Sequence, residues 1–304
     1  MSAGSPVLLG LNVHPGVADL DTALRLAQLA EAHDIDLLTI QDHPYLADFF
    51  DTWALLAFLA ARTTRVHLGT NVSPIPLRPP AMLAKLAASL DLMSGGRIEL
   101  GIGAGAFLQG ILARGGSTPE NPAERVRMFE EAITLIRTLW ESARAVTWGG
   151  RYFQVRGLRF GPRPARRPRI WIGATRPRML RLAGHLADGL LVSNTYVPEG
   201  QLEQVHAAVD AGAAEAGRPP GAIRRGYNLM GVLKLAGPDP VTAEIRPGTP
   251  VLSAEQWVAE LVRLYRERRI DTMIFWPLGR RPLDQAAVFA AEVVPAVRAA
   301  LAGG

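Results

Sequence analysis

Residues Val66 to Ala106 spell out one complete βαβ unit, and such a unit commits the chain around it to parallel strands with helices laid across them. Val66 to Val72 is short, apolar and β-branched at its ends, which reads as a strand. Ser73 to Pro80 then carries four prolines, too many for a helix or a central strand. Pro79 and Pro80 suit a first helical turn, where a missing N–H costs little. Leu83, Leu86, Leu90 and Met93 follow at helical spacing and predict one apolar face. Gly95 and Gly96 stop that helix, and Arg97 to Leu100 opens the next strand.

The same alternation runs through the rest of the chain. Val7 to Val13, Ile35 to Ile40, Arg169 to Ile172, Gly189 to Val192, Tyr227 to Leu235 and Thr272 to Trp276 read as further strands. Helices are predicted for Ala18 to Ala32, with Leu20, Leu24 and Ala27 on one face, and from a cap at Asp51 through Ala60. Asn121 and Glu124 form a capping-box pattern for a helix through Trp140, with Phe129, Ile133, Ile136 and Trp140 facing inward. Val146 to Phe160 reads as a hairpin turned at Gly149-Gly150. Pro177 to His185, Pro198 to Ala216, a helix capped by Ser253 and Gln256, and Asp284 to Leu301 complete the set. Ala236 to Pro250 is rich in Pro and Gly, and reads as a mobile lid or insertion. Eight alternating units argue for a (β/α)8 TIM barrel, one domain over residues 1–304, with insertions after strands four and seven and before strand five. A doubly wound sheet is the alternative, but an unbroken series favours closure.

Composition removes several classes of function. With no cysteine, disulfides, thiolate zinc sites and cysteine nucleophiles are excluded. No uninterrupted apolar run approaches the roughly 18 residues that span a bilayer, and no signal peptide is evident, so a cytoplasmic protein away from membranes is expected. The net charge of +5 gathers in arginines, most densely from Arg163 to Arg169. No aromatics are interleaved there, so a nucleic-acid partner is not expected. A solvated loop is the first reading, and attraction for an anionic small molecule the second. No histidine and carboxylate spacing makes a metal site, and no nucleophile elbow is present.

In such a barrel, chemistry belongs at the C-terminal ends of the strands. After strand two stands Gln41-Asp42-His43-Pro44-Tyr45, which reads as an acid/base element because histidine titrates near neutral pH and a neighbouring carboxylate would raise its pKa; the alternative is a pair that only braces the loop. His14 lies beyond strand one, and His67 inside strand three reads as structural. His33 and His185 fall near helix ends, and His206 lies on a helix that reads as surface-exposed. Gly101-Ile102-Gly103-Ala104-Gly105-Ala106 is not a dinucleotide fingerprint, because it follows about the fourth strand and no helix signal appears before Asn121. A loop that lets something flat approach the backbone is the better reading. Gly173-Ala174-Thr175-Arg176-Pro177-Arg178 leads into a helix and suits a phosphate, with Ser193 and Asn194 as added donors.

The run D-L-M-S-G-G-R-I-E-L-G-I-G-A-G, preceded by G-T-N-V and followed by a Gly-Ala-Thr loop, resembles the bacterial luciferase-like superfamily of flavin and deazaflavin oxidoreductases, over about Val7 to Ala300. The resemblance implies a cis peptide at Asn71-Val72 beneath the cofactor ring, with Gly103, Ala104, Gly105 and Ala106 flanking it. It implies Gly173, Ala174, Thr175 and Ser193 around the phosphate, and Asp42 and His43 near the reactive carbon. His14, Tyr45, Phe50, Trp53 and Trp276 are expected to line the substrate pocket. Some deazaflavin sugar-phosphate dehydrogenases carry a glutamate where this chain has Ala106, so proton donation from that position is impossible here and a sugar phosphate is doubtful. The resemblance implies hydride transfer with coenzyme F-420 on a small organic substrate. The alternatives are an FMN-dependent monooxygenase served by a flavin reductase, and a non-catalytic flavin-binding protein. A non-covalent cofactor and a homodimer are expected in either enzymatic case.

Overall fold

A computed structural model describes residues 6–237 and 245–303 of the chain. Its eight barrel strands are β1 (Leu8–Val13), β2 (Leu37–Ile40), β3 (His67–Thr70), β4 (Ile98–Gly103), β5 (Arg169–Gly173), β6 (Gly189–Ser193), β7 (Arg224–Leu233) and β8 (Thr272–Pro277). Each pairs in parallel with the next, and β8 returns to pair with β1 through Leu8 opposite Thr272. That last pairing closes the sheet as a (β/α)8 barrel and rules out the doubly wound alternative. Helices α1 (Leu20–Ala32), α2 (Thr52–Ala60), α3 (Pro80–Ser94), α4 (Pro122–Glu141), α5 (Pro177–Leu186), α6 (Leu202–Glu215) and α7 (Ala254–Arg268) surround it. The last helix, α8 (Pro282–Ala302), passes through a π turn at Phe289–Val293.

Local signals account for most boundaries. Asp51 accepts from the N–H groups of Trp53 and Ala54, and Ser253 with Gln256 forms a complete capping box. Gly95 ends α3 in the left-handed region at φ 72°. The hairpin pairs Val146–Gly149 with Gln154–Leu158, as its glycines predict.

Several expectations need correction. The fourth strand runs on through Gly101 to Gly103, and a short helix at Leu108–Ala113 precedes α4. Leu83 and Leu90 are buried, but Leu86 and Met93 point outward with Met82, because steps of four and seven residues place these three on a separate stripe at the edge of the buried face of α3. His206 is buried rather than exposed, and burial beside Arg225 and Arg269 holds its pKa down at about 4. Of the expected lid, residues 238–244 lie outside the described residues, and its last residue, Pro250, accepts from the N–H of Val232 in β7 at 2.8 Å, just before Val251–Leu252 pairs with that strand. Helix α8 is also 21 residues long, and an 18-residue window within it has mean hydropathy 1.4, enough by length and composition to cross a membrane. It carries Asp284, Glu292 and Arg298, and buries Phe289, Val293 and Val297 in the core.

The arginine cluster closes the barrel floor, at the N-terminal ends of the strands. Glu99, near the start of β4, is 3% exposed and accepts from Arg166 (3.1 Å), Arg169 (2.8 Å) and Trp171 Nε1 (2.9 Å). His67 Nδ1 lies 3.1 Å from the same carboxylate, and Arg167 pairs with Asp188. A cavity of about 250 Å³ opens beside this cluster. These arginines compensate carboxylates that burial would otherwise make costly. Burial raises the pKa of Glu99, but its donors outweigh that and hold it at about 2, below the usual 4.5. Its stabilisation is therefore full above about 4.5 and is lost as pH falls toward about 2. We predict that Glu99→Gln lowers unfolding free energy at pH 7 by about 3 kcal/mol and flattens the acid limb of stability, measured by urea titration across pH.

Candidate active site

At the opposite end of the barrel, the loop after β2 is fixed from below by a buried carboxylate. Asp42 is 1% exposed and accepts from Ser73 Oγ (2.5 Å), Arg78 Nε (3.1 Å) and Arg78 Nη2 (2.8 Å). Arg78 also donates to Asp51 at 2.6 Å, joining this network to the cap of α2. Trp53 Nε1 donates to Ser73 Oγ at 3.1 Å. A forked guanidinium on a buried carboxylate holds both direction and charge.

Adjacent residues diverge here. Asp42 turns into the protein, while His43 is half-buried and its Nδ1 meets the hydroxyl of Tyr45. The carboxylate was expected to raise the pKa of His43. Instead burial lowers it below the usual 6.5 and outweighs the charge of Asp42, which Arg78 largely neutralises. The imidazole is therefore neutral near pH 7. Tyr45 stands 5.0 Å from Phe107 across the ring centroids, and Phe49 stands 4.9 Å from His14 and 6.5 Å from His43. One aromatic wall thus joins the loops after β1, β2 and β4.

Across the barrel centre runs a chain of neutral polar groups. Thr39 donates to Asn12 Oδ1 at 3.2 Å, and Asn71 Nδ2 donates to Thr39 at 3.2 Å and to Asn228 Oδ1 at 2.7 Å. Asn228 Nδ2 reaches Asn71 Oδ1 at 3.2 Å and Ser193 Oγ at 3.0 Å. Asn12, Thr39 and Asn228 were not singled out from the sequence. For Asn12 and Thr39 the available signal was a polar residue inside an otherwise apolar strand, near its C-terminal end; Asn228 lies midway along β7, beside Tyr227 and two arginines, and carries no such signal. The Asn71-Val72 peptide is cis. The Val72 side chain packs so closely that a Cβ at Gly103 or Gly173 would lie 2.8 Å from its Cγ2. Those glycines make room for Val72, a tighter role than open access to the backbone.

The remaining expected residues fall around this centre. Ala104 is half-buried, Gly105 sits at φ 85°, and Ala106 is exposed. Ala174 is buried and Thr175 exposed, and α5 begins with no side chain capping it. Asn194 is occupied by the backbone of Met230, so it ties the loop after β6 to β7. Trp276 and Phe50 are half-buried, and His14 is exposed beside Asp19 at 3.0 Å. Trp53 is 2% exposed and supports the loop from beneath. The cluster from Arg163 to Arg169 takes no part, since it lies at the floor.

The arrangement suits a flat, phosphate-bearing cofactor. The uncapped start of α5 leaves N–H groups and the Thr175 hydroxyl for a phosphate. Val72 and the small residues from Ala104 to Ala106 offer a low platform beside Gly173, at the edge of that cradle.

The sequence profile of the luciferase-like monooxygenase family matches residues 5–234, and the chain belongs to that family. It is 37% identical over 196 residues to an F-420-dependent glucose-6-phosphate dehydrogenase of Microbacterium testaceum, covering 62% of this chain and 57% of that protein. It is 35% identical over 191 residues to a 5,10-methylenetetrahydromethanopterin reductase of Archaeoglobus fulgidus, covering 63% and 54%. The chain thus spans less than two thirds of the length of these curated relatives. An F-420-dependent secondary alcohol dehydrogenase, solved with an F-420-acetone adduct, shares the fold with a TM-score of 0.82 at 21% identity, over 96% of this chain and 99% of that one.

Proposed function

We propose that this member of the luciferase-like family is an oxidoreductase that binds coenzyme F-420 without a covalent link and moves hydride between it and a small organic substrate. The observation that carries this reading is His43, a half-buried, neutral imidazole held over the barrel mouth by Tyr45 above a locked Asp42. The F-420-dependent relatives favour the same cofactor. Gly173, Ala174 and Thr175 would hold its phosphate, with Asn71 and Val72 at the ring; Ser193, expected beside the phosphate, accepts from Asn228 and so joins the Asn71 group at the ring. When bound, the deazaflavin supplies a two-electron hydride acceptor or donor.

The residues of the chain manage the proton and the geometry. With Nδ1–H donating to the Tyr45 oxygen, His43 would present Nε2 as the unprotonated ring nitrogen. In alcohol oxidation, Nε2 takes the hydroxyl proton as the C–H bond gives up its electron pair and the C–O bond becomes C=O. In carbonyl reduction the protonated ring returns that proton to the oxygen. Asp42 is a positioning residue, since its oxygens are occupied by Ser73 and Arg78. The second reading, an FMN-dependent monooxygenase served by a flavin reductase, is favoured by the description of the family itself. Reduced FMN reacts readily with oxygen, whereas reduced deazaflavin does not.

Turnover tests the role of His43. His43→Asn is expected to lower kcat by roughly 10²–10⁴-fold while cofactor affinity stays within a few-fold. Because burial depresses the pKa of His43, wild-type kcat/KM for alcohol oxidation should rise with pH with its midpoint below 6.5. Full turnover by the variant overturns the assignment.

We also propose a homodimer through α2 and α3. Met82 (65% exposed), Leu86 and Met93 (75%) form an outward apolar stripe on α3, and Phe58 on α2 is exposed as well. Light scattering should report twice the 32.8 kDa chain mass, with Leu86→Glu shifting it toward the monomer. A wild-type monomer at all concentrations contradicts the proposal.

A further inference from the structure

We propose that the site takes neutral, predominantly apolar alcohols or carbonyl compounds, with Phe107 and Leu112 as its specificity-determining wall. The identity of the reacting group rests on the hydride-transfer reading; the apolar preference stands on the following observations.

Among the described residues, large apolar side chains stand exposed in two places, the α2–α3 face and the barrel mouth. At the mouth they come from four separate loops: Val17 after β1, Leu46 after β2, Phe107 and Leu112 after β4, and Tyr196 after β6. Phe107 is 50% and Leu112 55% exposed. This surface is continuous with the reactive group, because Phe107 packs on Tyr45 and Tyr45 meets His43. It is also built to hold its shape. A Cβ at Gly110 would lie 2.4 Å from the Phe107 ring and 2.9 Å from Tyr45, so the short helix at Leu108–Ala113 rests directly on both rings.

Charge on the loops that form and adjoin the Phe107 wall disfavours an anionic substrate against it. The segments after β1 to β4 carry Asp19, Asp42, Asp48, Asp51 and Glu120, five carboxylates, against Arg78 and Arg114, two guanidiniums. Arg78 is already bound by Asp42 and Asp51. A phosphate placed against this wall would meet net negative charge, while the other cations of the mouth stand on different loops: Arg176 and Arg178 beside the cofactor cradle after β5, Lys234 and Arg246 after β7, and Arg280 and Arg281 after β8. A neutral apolar molecule meets no such penalty and gains by leaving water.

The test uses the whole protein, with and without F-420, and secondary alcohols from 2-propanol to 2-octanol, with glycerol 3-phosphate as the anionic comparison. Dissociation constants are read from the ligand-induced rise in Tm, so no turnover is needed. The expected result is a Kd that falls by about two- to fourfold per added methylene, with no shift from glycerol phosphate. Phe107→Ser and Leu112→Ser, made separately at exposed positions, should each reduce that dependence. A Kd independent of chain length, or tighter binding of glycerol phosphate, overturns the proposal. Fluorescence titration of the cofactor is scored separately. If the chain-length series holds but neither F-420 nor FMN binds, the oxidoreductase reading falls and the apolar site stands.

Discussion

A parallel sheet with open edges leaves rows of N–H and C=O groups unpaired, and pairing β8 with β1 removes both edges at once. Everything of functional interest depends on that closure. It brings the C-terminal ends of eight strands to one mouth, so that Asn12 of β1, Thr39 of β2, Ser193 of β6 and Asn228 of β7 meet Asn71 in a single hydrogen-bonded chain. It brings the N-terminal ends to the opposite floor, where Glu99 gathers its donors. The two ends then differ in kind. The floor holds committed ion pairs, and the centre of the mouth holds neutral amides, hydroxyls and a neutral imidazole.

That division explains how one framework supports both stability and a reactive site. A buried carboxylate is tolerable only with its partners in place, and Glu99 and Asp42 each have more than one. Asp42 serves the site through its rigidity, because its lock on Arg78 and Ser73 fixes the loop that carries His43 and Tyr45. The neutral centre leaves little competing charge where an electron pair and a proton must be exchanged.

Much of the architecture was legible in the sequence, for identifiable reasons. Strands buried on both faces read as apolar runs, and Asp51, Gly95 and the Ser253–Gln256 pair announce helix ends by local chemistry. What the sequence hid was every feature created by closure. The Asp42–Arg78 pair spans 36 residues and the Asn71–Asn228 pair 157, and no local pattern signals either. The arginines from Arg163 to Arg169 invited a cofactor reading because a charge run does not say which end of a barrel it faces. The helical spacing of Leu83, Leu86, Leu90 and Met93 was real, but it merged an inward stripe with an outward one. The expected pocket aromatics divided in the same way, with Tyr45 in the mouth wall and Trp53 beneath it.

The mouth of this barrel is proposed as a deazaflavin site. A paired fluorescence titration of the purified protein with F-420 and with FMN tests it most directly. Micromolar or tighter binding of F-420, with FMN at least tenfold weaker, is the result this account predicts. Preference for FMN, or binding of neither, would contradict it.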